Sequence, residues 1–310
     1  MTRRAVRGIA VVLASMCSAA GAVESAHAQP APPPARHASL PAASPDGRWI
    51  AYARQTGPDS CEIRILRADG SEDRLVARVG AQLCLPGWAS GGMRVTYALS
   101  GRDTSTLTSL ALDGTDARVL ARGPQKSFAF SPNGKRLAFT TGTWTRGRVV
   151  VADADGGRAR ALTDSAAGWF NLAWSPDGRT LAGTRLDTTG ALQVWLVDAR
   201  SGHSRALTDF AASDGRPQWP AWSPDGKRIA LQAGHHNRDE PSRDEADIWV
   251  VTVASGQAAR LTSRERPWMD ETPTWLADGR HLVIQSTRTG PFELWRISDD
   301  GREAVQLTGR

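Results

Sequence analysis

One ten-residue segment recurs along this chain and limits what the chain can fold into. It reads AWSPDGKRIA at 221–230, AWSPDGRTLA at 173–182 and AFSPNGKRLA at 129–138. Aligned on its glycine, the segment occurs six times at intervals of 42 to 53 residues, at Gly47, Gly92, Gly134, Gly178, Gly226 and Gly279. Intervals of about 40–50 residues are typical of the blades of a β-propeller.

The segment itself predicts a tight β-hairpin. Proline presets φ at the first corner of the turn, aspartate or asparagine suits the second, and glycine takes the left-handed position that follows. An apolar alternation of period two follows the turn, as expected of a strand. A large side chain precedes the turn in five copies, at Trp88, Phe130, Trp174, Trp222 and Trp275.

Each copy also contains a third and a fourth strand pattern, such as LQVWLVD followed by SRALT. We therefore predict an all-β fold over residues 38–310, a six-bladed β-propeller of four-stranded antiparallel blades. A β-sandwich, the alternative, would not need one motif repeated six times. Because SLPAA (39–43) can begin blade one and AVQLT (304–308) can end blade six, we expect every blade to be contiguous. The ring would then close by packing of blade one against blade six.

The N-terminus has the features of a signal peptide spanning residues 1–28. Arginines precede the apolar run GIAVVLASMCSAAGAV, and Ala26-His27-Ala28 provides a small-x-small cleavage pattern. A buried N-terminal helix is the alternative. We expect cleavage between Ala28 and Gln29 and a periplasmic or secreted protein with no membrane span after cleavage. Residues 29–37 are rich in proline and alanine and would form an extended tether.

Charge and cysteine content narrow the class of partner and the compartment. The net charge of +6 is spread along the chain without a Lys/Arg block, which argues against nucleic acid. The mature chain would keep two cysteines, Cys61 and Cys84. In an oxidising compartment such a pair favours a disulfide, and two separately buried thiols are the alternative.

The pattern W-S-P-D-G-(K/R)-x-I-A, then D-I-W-V, then G-x-x-x-x-L-T resembles the TolB-type propeller repeat, a WD40-like repeat. Related repeats form the propellers of prolyl-oligopeptidase-type peptidases. The resemblance implies docking of an envelope protein or peptide on the propeller's loop face. We expect a stand-alone propeller, because a short tether replaces the TolB N-terminal domain and no G-x-S-x-G nucleophile elbow is present.

Strand order puts the tight turns on one face of the ring and the longer, more varied loops on the other, here called the loop face. Two loops stand out, QAGHHNRDEPSRDEAD in blade five and SRERPWMDETPTW at the entry to blade six. We predict a mixed-charge docking surface with a tryptophan anchor. Its residues would be His235, His236, Arg238, Asp239, Glu240, Arg264, Arg266, Trp268, Asp270 and Glu271. The alternative is a solvated insertion and a linker whose tryptophan caps the core. Trp144 and Trp169 also fall in predicted loops and could contact a ligand.

The sequence predicts no cofactor, no metal and no catalytic site. Adjacent His235 and His236 point opposite ways on extended chain, and the nearby acidic residues lack the order of a calcium loop. We therefore expect a monomeric, non-enzymatic protein-binding module. The alternatives are a small-molecule or glycan binder or enzyme at the channel mouth, and an accessory subunit of a separately encoded peptidase or transporter.

Overall fold

The repeated segment forms the turn and strands that its sequence predicts, as seen in a computed structural model of the chain. The structure describes residues 37–309, except 82, 101–104, 124–126, 144, 187–189, 211–214, 236–244 and 263–267. The predicted signal peptide and residues 29–36 of the tether lie outside the described residues. Strand β1 already begins at His37, the last residue assigned to the tether.

Within the described residues, 24 strands form six antiparallel sheets of four, each built from contiguous chain. The strands are β1 (His37–Ala43), β2 (Trp49–Gly57), β3 (Ser60–Arg67) and β4 (Arg74–Val79) in blade one; β5 (Cys84–Ala89), β6 (Arg94–Ser100), β7 (Ser105–Ala111) and β8 (Arg118–Gly123) in blade two; β9 (Phe128–Phe130), β10 (Arg136–Gly142), β11 (Gly147–Asp153) and β12 (Arg160–Ala161) in blade three; β13 (Gly168–Trp174), β14 (Thr180–Leu186), β15 (Leu192–Asp198) and β16 (Ser204–Ala206) in blade four; β17 (Gln218–Trp222), β18 (Arg228–His235), β19 (Glu245–Thr252) and β20 (Ala258–Arg260) in blade five; and β21 (Asp270–Trp275), β22 (His281–Ser286), β23 (Glu293–Ser298) and β24 (Ala304–Gln306) in blade six. A short 3₁₀ turn (Ser90–Gly92) replaces the tight turn of blade two.

The first strands of consecutive blades contact one another around the ring, and β1 closes the circle against β21. The first strand of each blade is therefore the innermost, and the contiguous six-bladed propeller is confirmed. Among the described strands, none is exchanged between blades one and six. Their seam is apolar, with Ile50, Tyr52 and Leu66 packed against Val283 and Leu294. Three amides of β1 also donate to blade six: Ala38 to the Phe292 carbonyl (2.9 Å), Leu40 to Gln285 Oε1 (2.8 Å) and Ala43 to Thr274 Oγ1 (3.1 Å).

A serine completes the repeated turn. In blade four the hydroxyl of Ser175 donates to Asp177 Oδ1 (2.6 Å) and accepts from the amide of Thr180 (2.9 Å). The same carboxylate oxygen accepts from the amide of Arg179 (2.9 Å). The S-P-D-G motif is thus a closed hydrogen-bonded unit, which explains the serine as well as the proline and glycine.

Tryptophans in the first strands of blades two, four and five tie each of these blades to the one before it. The indole Nε1 of Trp88 donates to the Ala42 carbonyl (2.8 Å), and that of Trp174 donates to the Ala129 carbonyl (2.9 Å). Trp222 repeats the contact on Ala173 at 3.3 Å. A buried indole N–H needs an acceptor, so these rings position neighbouring blades as well as fill the core.

A disulfide joins blade one to blade two near the loop face. It links Cys61 of β3 with Cys84 of β5, whose Cα atoms are 6.7 Å apart. Both residues are buried, beside Ile63 and Val95 in the apolar layer between the two blades. The bridge therefore reinforces packing that already exists.

Because of the aspartates in the repeated turns, we expect the free energy of unfolding to depend on pH. Hydrogen bonds from Ser175 and the Arg179 amide hold the pKa of Asp177 below its ordinary value of 3.8, and Ser223 and Lys227 do the same for Asp225. A carboxyl whose pKa is lowered by folding stabilises the fold above its unfolded-state pKa, and that contribution is lost as pH falls through the lowered value. We expect the free energy of unfolding to decline below about pH 4.

Asn133, which occupies the same turn position in blade three, supplies the matched control. Its amide oxygen accepts from Ser131 (2.8 Å) and from the Lys135 amide (3.1 Å) without a titrating group. The double substitution Asp177→Asn and Asp225→Asn should keep both turns and flatten part of the acid decline in chemical denaturation between pH 2 and 7. An identical pH profile in wild type and variant would contradict this assignment.

The turn between the third and fourth strands also contacts the preceding blade. Gly202 has φ +78°, and a Cβ added there would overlap the carbonyl oxygen of Leu162 in blade three. We expect Gly202→Ala to lower the free energy of unfolding by about 2–4 kcal/mol, through left-handed strain and overpacking together. Gly190 has φ +85° and open space around it, so Gly190→Ala should cost only about 1 kcal/mol. Equal losses in urea denaturation would contradict the interblade contact.

Candidate functional site at the loop face

The predicted docking surface lies where β18 ends and β21 begins. His235 is the last residue of β18. Trp268 precedes β21, and Asp270 and Glu271 are the first two residues of that strand. The other predicted residues, His236, Arg238, Asp239, Glu240, Arg264 and Arg266, lie outside the described residues.

Asp270 and Glu271, the two carboxylates of the predicted mixed-charge surface that the structure describes, are buried. Asp270 is 2% exposed and Glu271 is 9% exposed. The physical reason is that β21 is an innermost strand, so its first residues are covered by neighbouring strands. The segment SRERPWMDETPTW resembles a charged linker in sequence, although strand β21 begins within it.

Asp270 forms a buried ion pair with Arg288. Its Oδ2 lies 2.8 Å from Arg288 Nη2, and its Oδ1 accepts from Arg288 Nε at 3.3 Å. The arginine side chain is 13% exposed. Two bonds from one guanidinium to one carboxylate fix the plane of that guanidinium.

The fixed guanidinium in turn supports Trp268. Arg288 Cζ lies 5.6 Å from the centre of the Trp268 ring and 5.4 Å from that of Trp295. Trp268 is half-buried at the rim. Arg288 could not be predicted from the sequence, because it stands in the short turn STRTG, where no motif marks it. Its importance depends on contacts with residues far along the chain.

Glu271 belongs to a polar chain that crosses the seam. Its Oε2 accepts from Gln285 Nε2 (2.8 Å), and Gln285 Oε1 accepts from the amide of Leu40 in blade one. Gln232 of blade five binds the amide of Thr272 in the same way (2.8 Å). Leu40 and Thr272 are bulge residues with φ of 56° and 47°, so these glutamines satisfy amides that the bulges remove from the sheet.

Trp169 is not in a loop, contrary to the sequence prediction. It lies in β13, is 3% exposed and stacks edge-on against Trp195 with ring centres 6.5 Å apart. Arg185 of β14 pairs with Trp169 across the two strands. Its Cζ lies over both rings, 5.6 Å from the centre of Trp169 and 4.1 Å from that of Trp195. Trp144, the other loop tryptophan singled out, is outside the described residues.

In the part of the chain that the structure describes, no three His, Cys, Asp or Glu side chains are grouped so that they could hold a metal ion. The same residues include no helix with the length and apolar character needed to cross a membrane.

The comparisons with known proteins agree with this architecture. A sequence profile of the TolB β-propeller domain matches residues 94–230 and 146–310. The Tol-Pal system protein TolB of Anaeromyxobacter dehalogenans (strain 2CP-C) is 31% identical over 199 residues, which are 61% of this chain and 42% of that protein. The chain thus matches less than half the length of this relative.

Two solved structures show the same fold. TolB from Acinetobacter baumannii superposes with a TM-score of 0.68 at 21% identity, over 84% of this chain and 63% of that one. An oligogalacturonate lyase in complex with manganese superposes with a TM-score of 0.57 at 12% identity, over 85% of this chain and 89% of that one. At these identities the likeness concerns architecture alone.

Proposed function

This chain belongs to the TolB β-propeller family, and on that premise we propose that it is an exported propeller whose loop face binds a protein of the cell envelope. The observation that carries the proposal is the pre-organised rim of blade six. There Trp268 lies against Arg288, which the buried carboxylate of Asp270 holds in place. Tryptophan and arginine dominate the energetics of protein interfaces, and a rigid anchor loses little entropy on binding.

Export to the periplasm is supported by two features of the chain. The first is the N-terminal sequence, with basic residues, an apolar run and Ala26-His27-Ala28 before the proposed cleavage site. The second is the disulfide between Cys61 and Cys84, because disulfides persist in oxidising compartments. A relative of this chain is named for the Tol-Pal system, which agrees with a role at the envelope.

Cross-linked capture from an envelope extract tests the proposal. The mature protein is compared with Trp268→Ala, with a variant shortened within 236–244, and with Arg302→Ala as control. Arg302 is 85% exposed in the turn between β23 and β24, on the opposite face. We expect one partner to be retained by wild type and by the control, and to be lost or much reduced with Trp268→Ala.

Two results would contradict the proposal. Capture of no protein by the wild type would favour a channel-mouth binder, to be followed by a small-molecule and glycan screen. Capture that Arg302→Ala abolishes and Trp268→Ala leaves intact would place the interface on the turn face.

A further inference from the structure

The third strand of blades four, five and six carries a tryptophan at the same position, and an arginine covers each ring. The guanidinium-to-ring distances are 4.1 Å for Arg185 on Trp195, 4.7 Å for Arg260 on Trp249 and 5.4 Å for Arg288 on Trp295. Three successive blades thus hold a cation on an aromatic surface, an arrangement that is attractive in itself.

In two of these blades a carboxylate neutralises the arginine. Arg260 Nη1 lies 3.6 Å from Asp247 Oδ2, and Arg288 Nη2 lies 2.8 Å from Asp270 Oδ2. Asp247 and Asp270 are both buried. Blades five and six therefore pair each partly desolvated guanidinium inside the protein.

Among the described residues of blade four, no carboxylate serves as this counterion. Asp270 lies five residues before Trp275 in β21. The equivalent position in β13, five residues before Trp174, is occupied by Trp169. An aromatic ring thus replaces the carboxylate. Across the part of the chain described here, Arg185 makes neither an ion pair nor a hydrogen bond, and its Nε is buried without a partner.

An arginine in this state is suited to bind an anion. Its planar guanidinium presents paired donors that match a carboxylate, and the Trp169 and Trp195 rings restrict its orientation before any ligand arrives. Because Nε is buried, an external carboxylate would accept from the terminal Nη1 and Nη2 of this half-buried side chain, and pairing a charged donor in this way is favourable. Arg185 is half-buried and lies one residue before the end of β14, at the loop face.

We propose that Arg185 binds a carboxylate of an acidic peptide segment in the partner protein. This inference rests on the proposed function, which supplies the partner protein that carries the carboxylate. It adds the type of contact by which that partner is recognised. It also places a second contact on the loop face, in blade four, besides the Trp268 rim of blade six.

Binding of short peptides, measured by calorimetry and by tryptophan fluorescence, tests the inference. The probes are Ac-Gly-Glu-Glu-Glu-Gly-NH₂, its glutamine counterpart, and Ac-Gly-Gly-Gly with a free C-terminus, with inorganic phosphate as a separate arm. The variants are Arg185→Met, which keeps an apolar stem against the rings, and Arg302→Met, which makes the same charge change on the opposite face.

We expect the glutamate peptide or the free C-terminus to bind wild type, which identifies the source of the carboxylate, and the glutamine peptide not to bind. Arg185→Met should weaken binding about tenfold or more, while Arg302→Met stays within about twofold. Because no described residue forms an ion pair or hydrogen bond with Arg185, and methionine keeps an apolar stem against the two rings, Arg185→Met should leave Tm unchanged or raise it. Absence of carboxylate binding, binding of phosphate alone, equal binding by Arg185→Met, or loss of folding in that variant would each overturn the inference.

The two proposals fail separately. A partner captured equally by wild type and Arg185→Met leaves the docking function intact and refutes the role of Arg185. Peptide binding that depends on Arg185, without capture of any envelope protein, supports the carboxylate site and refutes the docking function.

Discussion

Replacing Asp270 with alanine is expected to lower the free energy of unfolding by about 3–5 kcal/mol. The substitution leaves the Arg288 guanidinium, whose side chain is 13% exposed, without the carboxylate that accepts two of its hydrogen bonds. A desolvated charge that loses its partner is much less stable than the intact pair. Urea denaturation followed by circular dichroism measures the change.

Two further variants separate the buried charge from other causes. Arg118→Ala breaks an exposed pair with Asp116 and should leave the free energy of unfolding nearly unchanged, because water screens that pair. The double variant Asp270→Ala with Arg288→Met removes both charges and should recover much of the loss, because an apolar replacement of a buried ion pair is tolerated. A loss below about 1 kcal/mol in Asp270→Ala would show that Arg288 is solvated and that Trp268 is not rigidly supported.

The seam between blades one and six is expected to be the place where the ring opens first. Leu294 of β23 is fully buried there, against residues of both blades, and none of the described strands is shared between the two blades. Leu294→Ala should lower the free energy of unfolding by about 2–5 kcal/mol through lost burial and a cavity.

Leu181→Ala is the matched control, because Leu181 is equally buried between blades three and four. Both variants should lose comparable global stability, but only Leu294→Ala should speed amide hydrogen exchange in β1 and β22. Equal exchange in the two variants would mean that the seam is no weaker than the other blade interfaces.

The fold could be predicted from local sequence because its determinants are local. Proline, aspartate or asparagine, and glycine define the tight turn in four of the six copies, and an alternation of period two marks the strand that follows. SLPAA directly precedes the other strands of blade one, and AVQLT directly follows those of blade six. Because strands joined by a tight turn pair with each other, these positions predict contiguous blades.

The site was harder to predict because its contacts join distant residues. Asp270 and Arg288 are 18 residues apart, and Leu40 and Gln285 are 245 apart. Neither pair has a motif. Trp169 resembles a loop residue in the sequence, since β13 begins only one residue earlier. An exposed charged linker and the start of a buried strand have the same local composition, so burial of Asp270 and Glu271 depends on the ring around them.

Site-specific photocross-linking tests the central claim, that the loop face binds an envelope protein, most directly. A photoreactive phenylalanine is placed at Thr289, exposed beside Arg288 on the loop face, or at Arg302, exposed on the turn face. We predict that the residue at 289 cross-links one envelope protein in cells and that the residue at 302 does not. Cross-links from 302 alone, or from neither position while both variants are folded and exported, would contradict the claim.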